Sequence, residues 1–300
     1  MMGDFKSIFS GWFEKKQKPQ TPQVPTTPPA VLLGPVSIDG NQWIRNGNPI
    51  EWFGVAWDMF NQPVDDAGCF ARIDHFAEHG INLIVTYAGP GLGKPFNAGN
   101  EGGPPYTDTK NLIRNDEYWQ HVFKRLRYAN DKDITVLCSY SFIDQGMLSE
   151  RVVNQHRLNE ELAKWAEELS RYSVILSPAS EVEEGGSSAV SRVLWIIDML
   201  RKHTDAPIGY HTGSEKTNAV HADRLDFIST QDNKGINWGR INTALETGKP
   251  VLIVENQDTS AGTQVAYHRE ARTRRGCTFV FTGQSRGLDA KIIDYLGSVG

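Results

Sequence analysis

From Glu51 to Leu296 the chain alternates strand-like and helix-like segments eight times, and this repeat narrows the possible folds more than any other feature. Strand-like runs fall at 52–56, 81–87, 134–140, 173–178, 207–211, 225–230, 250–255 and 277–282. Helix-like stretches fall at about 67–79, 116–130, 149–171, 188–203, 217–223, 237–247, 262–274 and 287–296, the fifth being short and weakly patterned. Gly80, Gly248 and Gly276 directly follow three of these helices, where a left-handed cap favours glycine. An open doubly wound sheet normally has about five or six strands and a glycine-rich first turn. No G-x-G-x-x-G follows the first strand here. Eight units instead fit a closed parallel barrel, which typically takes about 250 residues. The expected fold class is α/β, a (β/α)8 TIM barrel spanning 34–300 together with a leading hairpin.

That hairpin reads from Val36 and Ile38, Asp39-Gly40, Trp43 and Ile44, Asn46-Gly47, then Ile50, Trp52 and Phe53. Asp-Gly and Asn-Gly supply the positive φ angles of tight turns, so short antiparallel strands precede the barrel and are placed to plug its lower end. Further upstream, Phe5, Ile8, Phe9, Trp12 and Phe13 share one face of a short amphipathic helix within 1–16. Residues 17–33 carry prolines at 19, 22, 25, 28 and 29 among Gln and Thr, the composition of an extended, semi-rigid linker. Two readings of this arm stand side by side. It attaches the protein to an assembly or surface, or it folds back on the barrel or stays without structure.

Composition removes several function classes. A formal charge of -5 argues against a nucleic-acid partner, because phosphate binding needs concentrated Lys and Arg. The one dense basic run, Arg269, Arg272, Arg274 and Arg275, falls on the penultimate helix, where a solvated face accounts for it. The 3 cysteines, Cys69, Cys138 and Cys277, are far apart with no C-x-x-C, so neither a disulfide framework nor a zinc site is expected. Asp4, Lys6, Glu14, Lys15 and Lys16 interrupt the N-terminus, which does not read as a signal peptide. The expectation is cytoplasmic residence by default, or release or attachment to an assembly.

In a barrel, the C-terminal ends of the strands converge on one mouth. Here they bring Trp57 and Asp58, Tyr87, Tyr140, Ser180 and Glu181, Tyr210 and His211, Gln231 and Asp232, Glu255 and Asn256, and Thr282 and Gln284. Two of these endings supply a carboxyl pair: Val174-Ile175-Leu176-Ser177-Pro178-Ala179-Ser180-Glu181 and Pro250-Val251-Leu252-Ile253-Val254-Glu255. Such a pair is the minimal equipment for cleaving a glycosidic bond, which needs one protonated carboxyl and one carboxylate. Each residue also has a plainer reading. Glu181, with Glu183 and Glu184, would cap the positive end of the next helix. Glu255 follows four apolar residues, where a carboxylate is costly unless used or paired. His211 orients a carboxylate or binds sugar, or is a hydrogen-bonded structural histidine. Trp57 and Tyr140 stack on a sugar or pack under the loops. The segment 88–115, rich in Gly, Pro and Asn, is a lid or cleft wall, or a disordered insertion.

With these residues in place, residues 36 to 297 resemble the cellulase-like retaining glycoside hydrolases of the (β/α)8 barrel clan. The resemblance includes Trp43-Ile44-Arg45-Asn46-Gly47-Asn48-Pro49-Ile50 running into Trp52-Phe53-Gly54-Val55-Ala56-Trp57. It implies Glu181 as acid/base and Glu255 as nucleophile, with retention of anomeric configuration. The sequence departs from the family in three places. Ser180 stands where the family has the Asn that bonds the sugar 2-hydroxyl, so either a hydroxyl does that job or the substrate differs at that carbon. Phe279, Phe281 and Thr282 replace the tryptophan of the eighth strand, and Ser229-Thr230-Gln231 lacks the family's His-x-Tyr.

The expected substrate-binding set is Trp57, Asp58, Tyr87, Tyr140, Ser180, His211, Gln231 and Asn256, with a carbohydrate substrate and no cofactor or metal. A metal-dependent barrel hydrolase would want His-x-His after the first strand, which ends Ala56-Trp57-Asp58. A phosphate-binding barrel would use a glycine-rich loop, faintly matched by Thr282-Gly283-Gln284-Ser285-Arg286-Gly287. The rival from another class is a catalytically silent carbohydrate-binding barrel acting as a structural or adhesion module.

Overall fold

The computed structural model describes residues 33–61, 65–86, 100–108, 111–140, 155–213, 215–232, 234–255, 260–283 and 288–299. The proposed helix at 1–16 and nearly all of the linker at 17–33 lie outside them, as do Tyr87, Asn256 and Gln284. Strands β1 (Val36–Asp39), β2 (Gln42–Arg45) and β3 (Asn48–Pro49) form the leading antiparallel sheet. The barrel strands are β4 (Gly54–Ala56), β5 (Leu83–Thr86), β8 (Thr135–Ser139), β9 (Val174–Ser177), β11 (Ile228–Gln231), β12 (Val251–Glu255) and β13 (Cys277–Phe281). Between them come a small hairpin, β6 (Tyr106–Asp108) and β7 (Ile113–Arg114), and a short strand, β10 (Lys216–Thr217). The helices are α1 (Asp66–Glu78), α2 (Asp116–Asp131), α3 (Gln155–Leu169), α4 (Gly186–Leu200), α5 (Trp238–Leu245), α6 (Ala261–Arg272) and α7 (Ala290–Leu296).

The parallel ladder runs β11-β12-β13-β4-β5-β8-β9, with β10 antiparallel on β11. One expected strand is irregular. Pro207 to His211 makes a single bridge, Leu176 to Ile208, rather than a continuous ladder. Proline has no N–H to contribute to a ladder. The segment still closes the ring: Leu176 N donates to Pro207 O (2.9 Å), Gly209 N to Leu176 O (3.1 Å) and Asp226 N to Ile208 O (3.0 Å). Side chains supply the remaining pairing. Ile208 N donates to Asp226 Oδ2 (2.8 Å), and buried Asn218 donates to Tyr210 O (2.9 Å) while accepting from Ser229 N (2.9 Å). The eight-unit barrel expected from the sequence therefore holds, with its fifth strand laced in largely by side chains. The fifth helix-like stretch is a 3-10 turn, Ala219–Arg224, with non-helical φ/ψ at His221, in place of the helix expected at 217–223.

Strand alternation sorts the apolar residues into two cores. Ala56, Leu83, Val85, Leu137, Ile175, Phe227, Leu252, Val254 and Val280 share the inner cluster with Val36, Trp43 and Trp52 from the hairpin region. The outward parity of the same strands packs against the helices in a second, larger cluster. Trp43 meets Phe227 at 5.7 Å between ring centroids, so the hairpin is the barrel's floor. The basic run is largely the solvated face expected, with Arg269, Arg272 and Arg275 exposed, and two of its members also fasten the floor. Arg272 pairs with Glu51, and Arg275 donates to Gln42 Oε1 (2.6 Å). Arg274 pairs with Glu270 and stacks on Trp238.

Gly276 follows α6 at the junction with β13, where the floor loop meets the barrel. Its φ is +83°, and a Cβ there would lie 2.3 Å from the backbone oxygen of Asn41. Gly248, at φ +76°, has open space around the same position. Gly248→Ala is expected to cost about 1–2 kcal/mol through the left-handed conformation alone. Gly276→Ala should cost clearly more in urea denaturation, because the floor loop must also move. Equal losses would show that the hairpin yields freely.

Candidate active site

All barrel strands are parallel, so their C-terminal ends share one mouth, and both candidate glutamates belong to it. Glu181 lies just beyond β9, and Glu255 is the last residue of β12. Going around the ring through Pro207–His211 and β11, the two strands are three positions apart. Where β12 meets β11 the register slips. Thr230 pairs with Ile253 and Gln231 with Glu255, so an extra residue interrupts the two-residue alternation at the strand end. Bulges of this kind are over-represented at barrel rims and beside active sites.

Glu181 is held in a left-handed conformation, φ 55° and ψ 40°. For a non-glycine residue this stores about 1–3 kcal/mol and persists only where the surroundings over-determine it. The surroundings are the peptide of His211: His211 N donates to Ala179 O (3.2 Å), and Val182 N donates to His211 O (3.4 Å). These bonds straddle Glu181 and tie the end of the fourth strand to the end of the fifth. Upstream, Ser177 Oγ donates to Ala179 O (2.8 Å), and Ser180 is fully buried. Glu181 makes no capping hydrogen bond to the turn Val182–Gly185 that follows it. Its neighbour Glu183 has a separate structural task, accepting from Tyr210 Oη (3.0 Å) and Gly213 N (2.7 Å).

His211 is 3% exposed, and burial alone pushes its pKa down to about 3. It is therefore a neutral imidazole at ordinary pH. Gln231, fully buried, ends β11 beside Glu255 in the ladder, and Asp58 follows β4 at the inward parity set by Ala56. Asp232 accepts from Arg240 Nη1 (2.6 Å) and Asn237 N (3.3 Å), which fixes the loop into α5.

Trp57 and Tyr140 take the plainer of their two readings. Both belong to the cluster between strands and helices. Trp57 meets Phe76 of α1 edge-on at 5.5 Å. Tyr140 meets Trp165 of α3 at 5.5 Å and shares a 2.6 Å hydrogen bond with Tyr106, whose hydroxyl also donates to Glu161 (2.9 Å). Their parity explains the placement: Val55 and Cys138, two residues earlier, already face the helices. Of the segment 88–115, the described part is a fixed wall beside the mouth. Asn100 donates to Tyr118 O (3.1 Å), and Asn115 donates to Gly102 O (2.7 Å) and Pro104 O (2.8 Å).

Asp66, Glu101 and His121 bring potential ligand atoms within 4.8 Å of one another at the base of this wall. Asp66 already accepts from Lys124 Nζ (2.6 Å) and Arg125 Nε (3.0 Å). Burial raises its pKa, but the hydrogen bonds from Lys124, Arg125 and His121 outweigh that and hold it at about 2. Two carboxylates and two fixed cations balance, so the cluster acts as an ion-pair clamp, with His121 Nδ1 joining Asp66 (3.0 Å) and Glu101 (2.8 Å).

Two further positioning residues escaped the sequence reading. Asn218 bridges the fifth and sixth strands. Gln264 of α6 clamps the end of the eighth, donating to Thr282 O (3.2 Å) and accepting from Thr282 N (2.9 Å). The available signal for Gln264 was an amide on the buried face of α6, which also carries Val265, His268 and Ala271.

No family model and no curated protein sequence matches the chain. Solved structures do, at low identity. An endo-1,4-β-mannanase from Rhizomucor miehei matches with TM-score 0.68 and 10% identity over 88% of this chain and 99% of its own. A β-mannanase from the blue mussel Mytilus edulis gives 0.62 and 14% over 88% and 95%. A glycoside hydrolase family 5 protein from Bacteroides vulgatus gives 0.63 and 15% over 84% of this chain. The chain spans 62% of that last protein's length, and 56% and 66% of two other glycoside hydrolases. The resemblance read from the sequence holds at the level of fold: this chain has the (β/α)8 barrel of the cellulase- and mannanase-type glycoside hydrolases.

Two outcomes follow from this geometry. A left-handed residue 181 makes Glu181→Gly more stable than Glu181→Ala, by about 1–2 kcal/mol in urea denaturation, and equal stabilities would mean the backbone is not strained. The second concerns pH. An unfolded histidine titrates near ~6.5, whereas His211 in the folded protein resists protonation down to about 3. Between those values the unfolded chain binds more protons, so stability falls as pH drops through that window and levels off above it. His268, lowered to about 4 by burial, contributes in the same sense. His211→Gln should flatten the slope of Tm against pH between 4 and 6, whatever its effect on Tm at neutral pH.

Proposed function

We propose that the barrel is a retaining glycoside hydrolase that cleaves the O-glycosidic bond of a polysaccharide or oligosaccharide. The observation that carries the reading is the pair of strand endings. Two glutamates end parallel strands of one barrel at the same mouth, and one of them is held in a strained conformation by the backbone bonds that join the fourth strand to the fifth. In this reading Glu181, as a carboxylic acid, protonates the leaving oxygen while Glu255, as a carboxylate, attacks the anomeric carbon. Water then hydrolyses the glycosyl-enzyme, with Glu181 acting as base.

Asp58, Ser180, His211 and Gln231, with Tyr87 and Asn256, are the proposed substrate contacts. Trp57 and Tyr140 support the mouth from behind. A neutral His211 donates or accepts a hydrogen bond without adding charge beside the acid, which suits a carboxyl that must carry a proton. The names of the solved neighbours make β-mannan and β-glucan the first substrates to try.

The test separates the two carboxyls. Glu181→Gln should lower turnover of polysaccharide by about 10²–10⁴-fold. The same change should spare aryl glycosides whose leaving group departs unprotonated. Glu255→Gln should abolish turnover of both, with Tm nearly unchanged in each case. NMR of the first-formed anomer reads the stereochemistry, and net inversion would replace the covalent route with a single displacement. A parent that binds saccharide but cleaves nothing on a broad panel would make the barrel a binding module instead.

A further inference from the structure

We propose that Glu183 is a positioning residue for the acid/base: its carboxylate, bound to Tyr210 and Gly213 at the end of the fifth strand, holds the left-handed backbone from which Glu181 presents its carboxyl. The proposal rests on the glycoside hydrolase reading for the reaction that Glu181 serves, but on residues outside the reacting groups for the clamp.

A strained residue keeps its conformation only where its flanks are held. At Glu181 the hold comes from one segment, Tyr210 to Gly213, and it has two unequal parts. The peptide of His211 supplies the first, through His211 N to Ala179 O (3.2 Å) and Val182 N to His211 O (3.4 Å). Backbone hydrogen bonds cluster at about 2.9–3.0 Å, so both of these are long. Glu183 supplies the second part. Its Oε1 accepts from Tyr210 Oη (3.0 Å) and its Oε2 from Gly213 N (2.7 Å). An ionised acceptor makes such bonds roughly twice as strong as a neutral one. The stronger half of the clamp is therefore a side chain two residues beyond Glu181, and it serves this seam rather than capping α4.

The surroundings carry the position of Glu183 back to Glu181. Glu184 N donates to Glu181 O (3.1 Å), which closes residues 181 to 184 into one turn. Val182, between the two glutamates, is fully buried, so the turn cannot swing outward without exposing it. Tyr210 is fully buried as well. Burial, and then the Glu183 carboxylate, push its hydroxyl well above the usual phenol range, so it stays protonated and remains a donor. The turn and the end of the fifth strand also approach closely: a Cβ on Gly213 would lie 2.7 Å from Glu184 Oε1.

The test is a ratio of kcat/KM values, which does not depend on how much of a variant is folded. The probes are phenyl and dinitrophenyl β-glycosides of mannobiose and cellobiose. Cleavage of the phenyl compounds needs a proton on the leaving oxygen, whereas dinitrophenolate departs without one. Glu183→Ala should lower kcat/KM on the phenyl glycoside by about 10–100-fold, the scale of a misplaced catalytic group, and leave the dinitrophenyl glycoside nearly unchanged. Glu183→Gln preserves both contacts, its oxygen accepting from Gly213 N and its amide donating to Tyr210 Oη, and should restore the parent ratio. Tyr210→Phe removes one bond of the two and should shift the ratio in the same direction by less. A parent ratio in Glu183→Ala, or in Tyr210→Phe where the alanine variant does not fold, overturns the positioning role and leaves the proposed function standing. A Glu183→Gln ratio as low as that of Glu183→Ala assigns the effect to charge and overturns it too. A parent that cleaves neither these glycosides nor any polysaccharide overturns the glycoside hydrolase reading and this inference with it.

Discussion

The barrel closes through Pro207 to His211, and the candidate site depends on how that closure is made. A regular parallel ladder would satisfy this segment's backbone with its neighbours' N–H and C=O groups. Here Asp226 and Asn218 take over part of that work, and Phe227 packs so closely on Gly209 that a Cβ would sit 2.7 Å from its ring. Because its own ladder is incomplete, the end of the fifth strand is free to reach sideways. The peptide of His211 binds the fourth strand on both sides of Glu181. The strained backbone at Glu181 is thus a consequence of the way the ring is sealed.

Around this seam the two ends of the barrel have different chemistry. The lower end is sealed by Trp43, Trp52 and Val36, with arginine pairs fastening the hairpin to the loops beneath β13. The upper end replaces apolar side chains with Ser139, Ser177, Ser180, His211, Ser229, Gln231 and Thr282, all buried. Buried polar groups are tolerated where they are hydrogen-bonded or used. Four carboxylates have structural tasks: Asp66, Glu161, Glu183 and Asp232 each have fixed donors. A strand-end carboxylate therefore has meaning only after its local partners have been counted.

Much of the architecture was legible in the chain. Strand and helix periodicity, the turn dipeptides and the glycines after helices report local preferences, and these are consistent with the barrel everywhere but its fifth unit. The fifth unit was the weakest because its order comes from Asp226 and Asn218, which contact residues many positions away. Trp57 and Tyr140 looked like mouth residues because they follow strand ends. Two-residue alternation, carried one step past Val55 and Cys138, turns them toward the helices instead.

The sequence by itself determined the eight βα units, the plugging hairpin and the two strand endings that carry glutamate, because each is written in local patterns of apolar and turn residues. Only the tertiary structure decided which polar residues are structural, where the barrel's seam lies and that Glu181 is held in a left-handed conformation. Those depend on hydrogen bonds between segments far apart in the chain, and no local pattern encodes which distant group a buried donor will meet.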